Sequence, residues 1–531
     1  MHLKNPIQFQ FQEKILFFAV LGLHLAFAFS IHLSPDEAHY ALYASHLDWS
    51  YYDHPPMVGW IQWPFYKVSD TDVVLRLVPM ACWALSTYMS LVLYQKFKSW
   101  REQNNSIYST QPSESKERIA GVLILWCASP LLNLLSIALV PDCLLMPLVS
   151  AMMLWTWEMV KGPNTPSTKQ WLGLGVLLGF CGLSKYTAVL LAFSTAFVLL
   201  RVHGFKLFRE KGLWIACLIA TLMITPVLYW NYEHEWISFL YQFGHASGSQ
   251  TWQFRKSLIY ALVLFLAFGP LLVISFSFDR RSGKVKDQSE PWVHQIGGEE
   301  IIQNKNSPVM SDSYFSWVYA APTLMLLTAL AGRGSALPHW IAPAWVALIP
   351  LASFGIERWR EKKRRLWSLV LSFQVLCCLA LGGLILSAGV GKELDRAAVS
   401  LPGEKIATSK PNPFADLIGW DLAAKKGIEL AAQNHVQTLA VMNWTLASRI
   451  AWYARPMPVK VIQSHHDQFD LWFGPMQPGD EVVWIDWSLM TFDPPVGVHQ
   501  FESCDLLEQM PVTHMGRQIA HFNFLKCKKW Q

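Results

Sequence analysis

Two adjacent carboxylates, Asp36 and Glu37, open the segment SPDEAHYALYASHLDWSYYDHPP at residues 34 to 56. A hydrophobic run ends just before them, so both acids stand where the chain leaves an apolar environment. Ionisable groups at such a boundary are costly, which marks the segment as a candidate site. Ser34-Pro35-Asp36-Glu37 also has the form of a capping box: Ser34 at the N-cap, Pro35 at the first helical position, and Glu37 at the third, able to reach back to the cap amide. Glu37 therefore carries two readings, capping and catalysis. Asp36 has no capping duty, and the positive end of the helix dipole predicts that it is ionised and a weak base. Its expected work is to accept a hydrogen bond from an acceptor hydroxyl and aim the oxygen lone pair, with the proton moving late. The competing reading is a carboxylate that only solvates the helix end.

Downstream, Asp48-Trp49-Ser50-Tyr51-Tyr52-Asp53-His54-Pro55-Pro56 ends any helix at its double proline. Trp49, Tyr51 and Tyr52 suit a membrane interface or stacking on a sugar ring. Asp53 and His54 are candidates for binding a polar headgroup, with turn chemistry as the alternative for Asp53.

The surroundings of this loop follow from composition. The 531 residues are 52% hydrophobic and 15% charged, with 26 Trp and a mean hydropathy of +0.24, which predicts a polytopic membrane protein. The net charge of +5 comes from short basic runs between apolar segments, a topology signal and not a nucleic-acid surface. About eleven spans are expected, near 15–33, 73–95, 119–140, 143–160, 171–184, 186–202, 212–230, 257–278, 313–331, 338–356 and 366–388. Every second loop is basic, so the N-terminus is expected in the cytoplasm of a cell inner membrane. The catalytic outer loop 34–72, the Asp142 turn and the polar stretch 389–531 then fall on the outer, periplasmic face. Residues 1–388 read as the membrane domain and 389–531 as a small α/β domain that could cover the outer face. Its two cysteines, Cys504 and Cys527, would sit in an oxidising compartment, where a disulfide and two free thiols are both open.

Several of these residues carry a family resemblance. Pro35-Asp36-Glu37, Tyr51 through Pro56, Pro141-Asp142, Gly182-Leu183-Ser184-Lys185-Tyr186, Trp230-Asn231 with Trp236 to Phe239, and Pro338-His339-Trp340 occur in an order that resembles membrane glycosyltransferases of the GT-C fold. The set is similar to the family 39 and 83 type, which includes lipopolysaccharide aminoarabinose and galacturonic acid transferases and protein O-mannosyltransferases. The resemblance spans about residues 10 to 390. It implies a polyprenyl-phosphate sugar as donor, a lipid or protein acceptor on the outer face, and inversion at the sugar carbon. It also places the catalytic acid residue of the first outer loop at Asp36.

Departure of a lipid phosphate develops negative charge, so such a site needs fixed cations near the outer ends of the spans. Lys185 interrupts an apolar run at an outer turn and is the leading candidate. Arg333, in Ala331-Gly332-Arg333-Gly334, could grip a phosphate bidentately, and His339 could donate a further hydrogen bond. Arg76 is either a counter-ion for the donor or a partner of Asp70 or Asp72. Asp142 could steady the acceptor, neutralise Lys185, or simply start a helix. Tyr186 and His245 complete the candidate substrate contacts. No motif specifies a cofactor, no metal ligands are assigned, and a divalent cation stays open. Gly173, Gly175 and Gly179 fit close helix packing better than a dinucleotide fingerprint, and His465-His466-Asp467 lacks supporting metal ligands. A transporter or flippase of a lipid-linked component is the alternative, but its charges should lie near mid-span with repeat symmetry.

Overall fold

Apolar patterning over 20-residue lengths makes helices, and what interrupts them shapes the site. The computed structural model describes residues 9–105, 120–161, 165–247, 251–279, 293–296, 299–302, 310–388, 414–463 and 465–531. The chain starts with α1 (Phe11–Ser30), the short α2 (Pro35–Ser45) and α3 (Met57–Val68), and the long α4 (Asp72–Asn105). The run 119–140 is broken into α5 (Ala120–Cys127) and α6 (Pro130–Leu135), because Ser129 caps a new helix whose first residue is a proline. Then come α7 (Pro141–Lys161), α8 (Thr168–Ser184), α9 (Val189–His203), α10 (Lys211–Glu233) and α11 (Ile237–Ser247). α12 (Phe254–Phe268) and α13 (Pro270–Ser275) meet at a 92° bend. Gly269 turns the chain there at φ 96°, and Pro270 restarts the helix. α14 (Asp312–Ala331), α15 (Ala342–Lys362) and α16 (Arg364–Leu386) complete the bundle.

All eleven expected runs are helical, but among the described residues 8 helices, or 9 with the bent pair, are long and apolar enough to span a bilayer. The difference lies in the break between α5 and α6 and in α8, which has 17 residues. α7 and α15 form the buried centre, while α1, α10 and α16 present Phe18, Leu222 and Leu376 on the outside. α8 lies against α10 through its glycines: a Cβ on Gly175 would stand 2.7 Å from the Ala216 carbonyl oxygen. That contact accounts for the glycines as packing residues.

Two short strands, β1 (Val293–Ile296) and β2 (Glu299–Ile302), pair antiparallel. The C-terminal strands β3 (Leu439–Val441), β4 (Val459–Val461), β5 (Val482–Trp487), β6 (Phe501–His514) and β7 (Arg517–Trp530) form one sheet of order β4-β3-β5-β7-β6. β3 runs parallel to β4 and β5, and β7 is antiparallel to β5 and β6. Cys504 and Cys527 are cross-strand partners in the β6–β7 hairpin and are disulfide-bonded. Helices Trp420–Gln433 and Trp444–Ala454 pack on this sheet, and their apolar faces continue into the core of the helical bundle. The α/β unit therefore rests on α2, the helix that carries the acidic pair.

Candidate active site

The capping box forms as expected. Ser34 Oγ accepts from the Glu37 amide at 3.4 Å, and Glu37 Oε2 accepts from the Ser34 amide at 3.0 Å. Glu37 then does more than cap. Its carboxylate accepts from Arg76 Nε at 2.9 Å and Nη2 at 3.1 Å, and from the Leu139 amide at 3.4 Å. The Arg76 guanidinium spends its other donors on the carbonyls of Ala28 (3.2 Å), Ile31 (2.7 Å) and His32 (2.9 Å). This buried pair ties α2 to the end of α1 and to the turn before α7. Arg76 thus pairs with Glu37, and not with Asp70 or Asp72. Those two face the α/β unit: Asp72 accepts from Trp452 Nε1 at 2.9 Å and Tyr453 Oη at 2.5 Å, and Asp70 pairs with Arg455 at 3.3 Å. With every contact turned inward and no exposed surface, Arg76 does not face a donor phosphate.

Asp36 is different. Among the described residues its carboxylate has no hydrogen bond and no ion pair, and the charged groups around it include His339, His39, Asp53, Glu37 and Arg449. Burial pushes its pKa up, against the pull of His339 and His39. That corrects the weak base expected from the helix dipole: desolvation outweighs the partial charge of one helix end.

Asp53 and His54 come back over α2. Asp53 accepts from Tyr43 Oη and lies 3.4 Å from His39 Nε2, while its own carbonyl accepts from Gln242 Nε2 at 2.6 Å. Burial alone would raise the Asp53 carboxyl, but His39, His54 and the Tyr43 hydroxyl hold it well below the usual range. Burial takes the His54 imidazole down to about 4, so the ring is neutral at neutral pH.

The cationic side of the site is built at the end of α8. Lys185 adopts extended backbone, φ −160° and ψ 141°, between α8 and the single turn Tyr186–Ala188. Its ammonium donates to Asp142 Oδ2 at 2.6 Å and Oδ1 at 2.8 Å, both groups buried. His339 Nε2 is 3.7 Å from Asp142 Oδ2, and the Trp340 ring centroid lies 5.3 Å from the ammonium. Asp142, at the start of α7, does neutralise Lys185, one of its three expected roles. Tyr186 packs on Phe239 with centroids 5.2 Å apart. Arg333 is exposed on the turn after α14, where the Gln253 amide donates to Gly332 O at 2.9 Å. The side chain of His245 lies outside the described residues. No group of three or more His, Cys, Asp or Glu among the described residues could hold a metal ion.

The structure adds His39, Tyr40 and Tyr43. Tyr40 is buried among Asp53, Asp36 and Asp142. The signal was present in the chain: positions 36, 39, 40 and 43 share one helical face. Reading the loop by its acids and by the aromatics at 49, 51 and 52 passed over that face.

Residues 53–230 match the family model described as dolichyl-phosphate-mannose-protein mannosyltransferase. Two solved structures align along nearly the whole chain, both of ArnT from Cupriavidus metallidurans. The apo form has a TM-score of 0.51 and the form bound to undecaprenyl phosphate 0.54, each at 14% identity and covering 96% of this chain and 97% of the other. No curated protein matches by sequence. The likeness establishes the fold: a GT-C-type helical membrane protein with a C-terminal unit containing a small sheet, as the ordered motifs implied. The family match begins at Asp53, so Asp36 and its helix lie just ahead of it.

Proposed function

We propose that this chain is an integral membrane glycosyltransferase that moves a sugar from a polyprenyl phosphate to an acceptor at the outer face of the membrane. The observation that carries this reading is the isolation of Asp36: a half-buried carboxylate with no hydrogen bond or ion pair among the described residues, set among His339, His39 and Asp53. Such a group is costly to keep unless a ligand completes it. Here the ligand is the acceptor hydroxyl. Asp36 accepts its hydrogen bond and then its proton as the acceptor oxygen bonds to the anomeric carbon from the face opposite the phosphate. The bond from that carbon to the phosphate oxygen breaks, and the electron pair leaves with polyprenyl phosphate. One displacement gives inversion.

Lys185 holds the leaving phosphate. Asp142 takes two of the ammonium's three protons, which leaves one for a phosphate oxygen and fixes the group in place. His339 supplies a further donor beside it, and the exposed Arg333 would reach the phosphate only from the rim. Asp53, His54 and Tyr186 frame the sugar between the two. Glu37 and Arg76 belong to the scaffold that aims α2. An ArnT structure bound to undecaprenyl phosphate, on the same fold, supports the donor class. The acceptor class is an envelope lipid, glycan or protein.

Purified protein given a polyprenyl-phosphate sugar and an envelope extract should release polyprenyl phosphate only when acceptor is present. Equal transfer from a nucleotide sugar with no polyprenyl lipid in the mixture would overturn the reading.

A further inference from the structure

His39 is buried at the contact between α2 and the α/β unit. Its ring lies 5.7 Å from Trp444, 6.0 Å from Phe469 and 5.7 Å from Trp472, all three from the C-terminal unit. Its two nitrogens face opposite ways: Nδ1 is 3.5 Å from Ser448 Oγ, and Nε2 is 3.4 Å from Asp53 Oδ1. Ser448 Oγ gives its own proton to the Trp444 carbonyl at 2.7 Å, so towards His39 it can only accept. An Asp53 carboxylate also only accepts. Both ring nitrogens must then donate, the pattern of the charged ring.

The same unit grips the flanks of α2. The Leu33 amide donates to Tyr453 Oη at 3.0 Å, the Tyr52 amide donates to Gln468 Oε1 at 2.7 Å, and His46 stacks on Trp472 with centroids 5.0 Å apart. The charged and titratable groups that face His39 are Asp53 and His54 from the outer loop, Asp36, Tyr40 and Tyr43 from its own helix, and Asp467 from the α/β unit.

We propose that His39 is a positioning residue of the transfer site, held as a cation by Ser448 and the aromatic wall of the C-terminal unit. There it fixes Asp53 and lies one helical turn from Asp36 on the same face of α2. This rests on the glycosyltransferase reading and assigns the C-terminal unit a part in the active site, beyond that of a cover. A cation close to a carboxylate favours its ionised form, at Asp53 by direct contact and at Asp36 across one helical turn. Its loss should let Asp36 hold its proton to higher pH.

The test compares the full-length protein with His39→Gln and Ser448→Ala in two measurements. In the pH profile of kcat/KM for polyprenyl phosphate release, the acid limb should move up by about one unit in His39→Gln, in line with one lost charge partner. It should move less, in the same direction, in Ser448→Ala. A folded His39→Gln protein whose scaled profile superimposes on that of the unaltered enzyme would overturn the proposal. The second measurement needs no activity, so it separates failure of this inference from failure of the transferase reading. His39 helps hold Asp53 below its ordinary range, a stabilisation present above the ordinary carboxylate pKa and lost as pH falls. The thermal unfolding difference between unaltered protein and His39→Gln should therefore be present above the ordinary carboxylate pKa and close as pH falls below about 4. A pH-independent difference would contradict the proposal.

Discussion

Asp36 and Glu37 are neighbours in the chain with opposite fates, and the difference is one of partners. Glu37 is buried and accepts from Arg76, Leu139 and Ser34. Replacing it with Gln leaves a buried guanidinium without its counter-charge, which costs about 3–5 kcal/mol. Glu37→Gln should therefore lower the unfolding temperature in detergent markedly, and an unchanged temperature would contradict its structural assignment. Asp36 has its pKa raised by burial, so its ionised form is a strain on the fold that grows as pH rises through that pKa. The proposed mechanism requires that ionised form, so kcat/KM should fall on acidification at a pH above the ordinary carboxylate value of about 3.9. The capping pattern alone predicted the cap that Glu37 makes. It did not reveal Arg76 as the partner of Glu37, because a contact between α2 and α4 leaves no local spacing to read. It also gave the wrong direction for the pKa of Asp36, since a helix dipole is local and visible in sequence while burial depends on the whole fold.

Among the elements, hydropathy located every apolar run but not its path. Ser129-Pro130 and Gly269-Pro270 break two of the runs, and both breaks are marked in the chain by residues that start helices or turn backbone. The close approach of α8 and α10 was readable from its glycines, and it matters because α8 ends on Lys185. Gly175→Leu would drive a side chain into the Ala216 backbone, where a Cβ already stands 2.7 Å from the carbonyl oxygen and 3.0 Å from the Cα. We expect a loss of about 1–3 kcal/mol for such overpacking, with reduced transfer because Lys185 shifts. Gly383→Ala, with nothing within 4 Å of a Cβ, should leave both stability and transfer near those of the unaltered protein. Equal behaviour of the two variants would remove the link between helix packing and the site.

For the whole molecule, two expectations meet at one end of the bundle. The motifs that resemble GT-C glycosyltransferases converge there on one cluster, Asp36, Asp53, His54, Asp142, Lys185 and His339. The polar C-terminal stretch folds over it as an α/β unit closed by Cys504–Cys527. Pairing in space made that cluster, and spacing along the chain showed only its members. The proposed orientation puts that face outside the cytosol, where the hairpin disulfide would form. A thiol reagent that enters the outer compartment should label Cys504 and Cys527 only after reduction. Labelling by a reagent confined to the cytoplasm would reverse the proposed orientation. The most direct measurement is transfer by purified Asp36→Asn protein from a polyprenyl-phosphate sugar, with folding confirmed by its unfolding temperature. Loss of on the order of 10²–10⁴-fold in kcat, at neutral-pH stability equal to or above that of the unaltered protein, is the expected result. Full activity in a folded Asp36→Asn protein would contradict the assignment of Asp36 as the acceptor-orienting base.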